Sequence, residues 1–172
     1  RGEYAGRHCN VGACADAKAL ALSLLRTLWH RNFYYDGNLK RISVGWADGY
    51  ACSDVRTYGA FDRTPALAPF NGALDVPLES ANENPDPYPD ERRAGPFITV
   101  LFHLKTDATL KEGTIRPRGG EELLCDSTDT KHPPPRAAQR FPDDDSCIVL
   151  IPHLALKQDT IYDVKSVGMV AG

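Results

Sequence analysis

The chain has 172 residues, a formal net charge of −3, a pI near 5.9 and an apolar share of 42%. That is enough apolar material for one domain or two small ones, and no hydrophobic run is long enough to span a membrane. The weakly acidic, mixed charge supplies no electrostatic footprint for nucleic acid or an anionic membrane.

The chain starts at Arg1 with no signal-peptide pattern, so the sequence reads as a processed or excised piece. Residues 1 to 13 are Gly-rich and read as irregular. A helix is predicted from Ala15 to Trp29, with Asp16 in its first turn, where a carboxylate suits the helix dipole. Ala17, Leu20, Ala21, Leu24 and Leu28 form one apolar stripe, and Leu22, Leu25 and Trp29 widen it onto a second face. So wide an apolar surface calls for cover on two sides.

Strands are predicted at Arg41 to Trp46 and Ala51 to Tyr58, joined by the turn signal Asp48-Gly49. Residues 60 to 96 then carry seven prolines and the acidic residues Glu79, Glu83, Asp86, Asp90 and Glu91. Proline fixes φ and removes donors, so this stretch is expected to be extended and to wrap a surface or link domains. From Phe97 the pattern is β: FITVLFHL, TLKEGTIRPRG, EELLC, CIVLIPHLAL and TIYDVKSVGMV read as strands of a small β-sandwich.

Five cysteines, Cys9, Cys14, Cys52, Cys125 and Cys147, include no CxxC pair, so a zinc ribbon has no support. Cys125 and Cys147 bracket a Pro-rich loop and are expected to form a disulfide, and Cys9, Cys14 and Cys52 leave one thiol over. This pattern suits a secreted or cell-envelope protein. The acidic groups follow no EF-hand spacing, and no metal or cofactor is expected. No GxSxG context, phosphate loop or dinucleotide fingerprint is present.

The segment Leu24 to Gly49 concentrates functional groups. His30 can donate, accept or ligate near neutral pH, and Glu3 would raise its pKa if folded against it. Arg31 offers a planar fork to a carboxylate or phosphate. Trp29, Phe33, Tyr34, Tyr35 and Trp46 are an aromatic cluster able to line a groove, although such clusters also build cores.

With its Gly2-Glu3-Tyr4 start, helix, His30-Arg31 pair, Phe33-to-Asn38 turn and Ile42-Ser43-Val44-Gly45 strand, the chain resembles the second half of a bacterial CAP domain. That superfamily holds the cysteine-rich secretory, antigen 5 and pathogenesis-related proteins. The proline-rich segment after Phe70 and the β-rich end resemble the tail and Ig-like domain that some members carry. The resemblance implies an α+β fold: a partial CAP-like α-β-α sandwich over residues 1–70, incomplete at its start, a linker over 71–94 and an Ig-like β-sandwich over 95–172. It departs from the family in having Tyr4 where Asn is usual and in lacking the first histidine of the cleft. It carries over only His30 and Glu3 as candidate catalytic residues, with Trp29, Arg31, Tyr34, Tyr35 and Trp46 as candidate ligand-binding residues. The function expected from this is a non-enzymatic extracellular module that binds a lipid or other small ligand near His30. Two alternatives are a hydrolase of peptide or ester bonds using His30 and Glu3, and adhesion to a cell envelope or polysaccharide through the β-sandwich. A helix with two apolar faces also implies that the chain belongs to a longer polypeptide or associates with another chain.

Overall fold

The computed structural model describes residues 4–28, 30–31, 34–35, 39–58, 65–80, 95–102, 107–133 and 146–171. Within them lie nine strands and one helix. The expected α-β-α sandwich is not what forms: the chain is mostly β, with antiparallel sheets, and the one helix among the described residues covers one face of one sheet.

Two physical reasons account for the difference. The Gly-rich start is not irregular but a strand, β1 (Tyr4–Ala13), whose amides pair with a neighbour along its length. The helix, α1 (Ala17–Leu25), is shorter than its apolar stripe. Asp16 caps it by accepting the Ala19 amide at 2.7 Å, and at Arg26 the backbone turns back onto Leu24 and Ser23. Leu28 then packs outside the helix.

The first sheet has the order β1-β3-β2, with β2 (Leu39–Ala47) and β3 (Tyr50–Tyr58) joined by a tight turn. Asp48 and Gly49 there both have positive φ, a conformation that Gly adopts without strain and Asp tolerates. Register sets Val55, Ser53 and Ala51 of β3 beside Ile42, Val44 and Trp46 of β2 on one face. Leu20 and Leu24, four residues apart in α1, cover the Ala51 end of that face.

A second sheet has the order β4-β5-β8-β7: β4 (Ala66–Ala68), β5 (Ile98–Phe102), β7 (Cys125–Thr128) and β8 (Ser146–Pro152). The expected linker therefore separates two strands of one sheet, since β4 precedes it and β5 follows it; residues 81–94 lie outside the described residues. Strand β8 is buried on both sides, which explains its unbroken apolar run. Cys147, Val149 and Ile151 join Leu28, Phe97 and Leu101 in the main core. Ile148, Leu150 and Pro152 alternate to the opposite face.

That opposite face meets a two-stranded ribbon, β6 (Ala108–Pro117) with β9 (Tyr162–Val170). The approach is close because the ribbon has glycine where β8 presses on it. A Cβ at Gly168 would sit 2.8 Å from Ile148 Cδ1, and one at Gly113 would collide with Leu150. Asp129 fastens the start of the ribbon. Burial pushes its carboxyl up, but the amides of Leu110, His132 and Lys131 and the His132 ring more than offset this, leaving its pKa below the usual value.

The register also corrects the expected Cys125–Cys147 disulfide. Cys125 pairs with Pro152, five residues along β8 from Cys147, so the two lie roughly 17 Å apart at about 3.4 Å per residue. A disulfide needs Cα atoms within about 7 Å. Cys147 is fully buried, and burial, with Glu122 and Asp126 nearby, pushes the Cys125 thiol up to about 11. Alkylation of the native protein at pH 8 is expected to mark the exposed Cys52 well before Cys125 and Cys147. Unfolding without reductant should then release both of the latter for labelling. Mass spectrometry that finds a linked 125–147 peptide instead would contradict this register.

Candidate functional site

Between α1 and the segment that follows β4 lies an open groove of about 360 Å³. One wall is the side of α1 that turns away from the sheet: Leu22, Leu25 and, just past the helix end, Arg26. The other is the 69–79 segment, which contributes Phe70, Leu74, Val76 and Pro77. That segment turns sharply, with Ala73 N–H donating to Phe70 C=O at 3.0 Å and positive φ at Gly72 and Asp75. Its far end is held by the Leu156 amide, which donates to Leu78 C=O at 2.9 Å. Pro96 and Phe97, leading into β5, close the inner end with Arg31 and Tyr35.

Three lining side chains carry large apolar surface in water: Leu22 is 53% exposed, Phe70 65% and Leu74 88%. Single exposed leucines are ordinary, but these belong to one concave surface. Polar groups are few: Arg26, Asp75 and Glu79 stand at the surface.

Arg31 is the structural centre of the site. It is 4% exposed; its Nη1 donates to Phe97 C=O at 2.7 Å, its Nη2 donates to Thr99 Oγ1, and its guanidinium lies 5.3 Å from the Phe97 ring centroid. The helix end and the start of β5 are thus joined by one planar fork. Tyr35 lines the groove and packs on the main core.

The other sequence-derived candidates lie elsewhere. His30 is half-buried, with Nδ1 3.5 Å from Thr27 Oγ1, and does not line the groove; Thr27 Oγ1 donates to Leu24 C=O at 2.7 Å. Tyr34 belongs to the helix–sheet contact, where its hydroxyl meets Ser53 Oγ and accepts from Asn10 Nδ2 at 3.5 Å. Trp46 lies on β2 and donates from Nε1 to Cys14 C=O at 3.3 Å. Glu3 and Trp29 lie outside the described residues. The structure thus brings Arg31 and Tyr35 to the groove and leaves His30, Tyr34 and Trp46 away from it.

Sequence reasoning passed over Leu74 and Val76, because they sit in the stretch read as a linker, and Phe70, because it closes the region read as CAP-like. The available signal was their apolar character among prolines and glycine. Two imidazole–carboxylate pairs stand apart from the groove: His153 Nε2 is 3.0 Å from Asp126, and His132 Nδ1 is 2.9 Å from Asp129. Among the described residues no group of three or more His, Cys, Asp or Glu could hold a metal ion.

Comparison with protein-family models, with curated proteins and with solved structures finds no match. The site therefore has to be read from its own chemistry: an antiparallel β protein with an apolar groove against its one described helix.

Replacing Arg31 with Met keeps much of the side-chain volume but removes both donors. Hydrogen bonds from a charged group contribute about 1.5–3 kcal/mol each, part of which is offset by no longer burying the charge. Arg31→Met is expected to cost about 2–4 kcal/mol, seen as a lower urea midpoint at unchanged slope. Leu22→Ser on the exposed rim should change the midpoint little.

Proposed function

We propose that this chain is a binding module whose groove takes an apolar small ligand, with a lipid acyl chain as the preferred class. The observation that carries the reading is the convergence of Leu22, Phe70 and Leu74, all more than half exposed, on one concave surface. Its volume of about 360 Å³ is at the lower end of the range for small-molecule sites, roughly 300–1,000 Å³. The ligand would lie along the side of α1, and covering these side chains supplies the free energy of binding. Arg26 at the rim favours an anionic headgroup, and Asp75 and Glu79 on the facing segment restrict where it can sit. Arg31 acts on this reading as the support of the inner wall, since its fork is already directed at β5.

A dodecanoate titration, followed by displacement of an environment-sensitive apolar dye, tests the proposal. Saturable one-to-one binding is expected. Leu74→Glu should weaken it about tenfold or more, because burying a leucine contributes roughly 1.5–3 kcal/mol and a tenfold change is about 1.4 kcal/mol. Binding that is unsaturable, or unchanged in a folded Leu74→Glu protein, would remove the assignment.

A further inference from the structure

We propose that Asn71 is a site of self-modification, at which the side-chain amide is lost to the backbone of Gly72 and the groove wall is reshaped. The chain has six asparagines, and Asn71 is the one followed by glycine. Both residues are exposed, and they form the centre of the turn that shapes the 69–79 segment.

The geometry leaves the reacting groups unobstructed. Ala73 N–H donates to Phe70 C=O at 3.0 Å, and Gly72 has a φ of 79° while Asn71 does not share the positive region, which defines a type II turn. Such a turn uses the donor of its fourth residue and the acceptor of its first. Among the described residues, neither the Gly72 N–H nor the Asn71 side chain has a hydrogen-bond partner. A Cβ built on Gly72 would meet no atom within 4 Å, so the space beside this nitrogen is open to the approaching amide.

The reaction needs only water. The Gly72 nitrogen gives up its proton and attacks Asn71 Cγ. The N–Cγ bond forms as Cγ–Nδ2 breaks, and the amide nitrogen leaves as ammonia. Water then opens the cyclic imide at either carbonyl. Opening at Cγ gives aspartate. Opening at the main-chain carbonyl leaves the chain running through Cγ, longer by one carbon, or about 1.5 Å, with a carboxylate on the former main-chain carbon.

This change falls inside the groove wall. Asn71 and Gly72 do not line the groove, but Phe70, Ala73 and Leu74 on either side of them do. Leu78 C=O is held by the Leu156 amide, so the added length is taken up at the turn, between Phe70 and Leu74. The new carboxylate joins Asp75 and Glu79 on the same segment. The groove of an aged molecule therefore differs in shape and charge from that of a new one.

Incubation of the intact chain at pH 8 and at pH 6, followed by peptide mapping that separates aspartyl from isoaspartyl products, tests this. Conversion at position 71 is expected to be about tenfold or more faster than at any other asparagine, because only there does no side chain shield the attacking nitrogen. It should be faster at pH 8, where more of that nitrogen is deprotonated. Asn71→Gln would have to close a larger ring, so position 71 should stay unconverted in it. The Leu74 and Val76 methyl resonances should move on ageing in the parent chain and hold still in Asn71→Gln, with Val164 and Val167 on β9 unchanged in both. Neither readout needs a ligand, so failure of the binding proposal leaves both standing. Faster conversion at another asparagine, or conversion at position 71 with the Leu74 methyls unmoved, would overturn the inference.

Discussion

A buried guanidinium joins two parts of this molecule that the sequence separates by more than sixty residues. Arg31 follows the helix, and its acceptors, Phe97 C=O and Thr99 Oγ1, belong to the approach to β5 and to the strand itself. Taking such a charge out of water costs several kcal/mol, so directional contacts must offset that loss. The Phe97 ring beneath the guanidinium adds an attraction of about 0.5–2 kcal/mol. What the fork gains is position. It fixes where the end of the helix lies against the sheet, and so fixes the inner wall of the groove.

The remaining layers follow from that join. Leu28 packs on Phe97, Leu101 and alternate residues of β8, while the other residues of β8 press into the glycines of the β6–β9 ribbon. One strand thus serves two cores. The helix is used twice as well. Leu20 and Leu24 cover the first sheet, and Leu22 and Leu25 turn toward the 69–79 segment. The first pair is close-packed and the second is partly wet, which separates a face packed on the sheet from a face that lines the groove on a helix of nine residues.

Much of the strand content was legible because its signals are local. The Asp48-Gly49 turn, the apolar run of β8 and the strand patterns around Thr109 and Tyr162 all point to elements that form. The helix start was legible to within two residues, although Asp16 caps the helix instead of lying in its first turn. Its end was not, because Leu28 continues the apolar spacing while serving a different core. Strand β1 was hidden by its glycines, since pairing with β3 rather than intrinsic propensity holds it extended. The disulfide expectation failed because loop length says nothing of strand register. At the site, Arg31 and Tyr35 stood out by residue type. Their partners Phe97 and Thr99, and the wall built by Phe70 and Leu74, depend on a chain fold that brings distant segments together. His30 drew attention as a titratable group, but its position beside Thr27 leaves it off the groove.

We place ligand binding at the apolar wall shared by α1 and the 69–79 segment. Methyl-resolved NMR during a dodecanoate titration tests it most directly. Saturating shifts are expected at the Leu22, Leu25, Leu74 and Val76 methyls, with Val164 and Val167 on β9 unmoved. Shifts concentrated on the β6–β9 ribbon, or none at millimolar ligand, would contradict it.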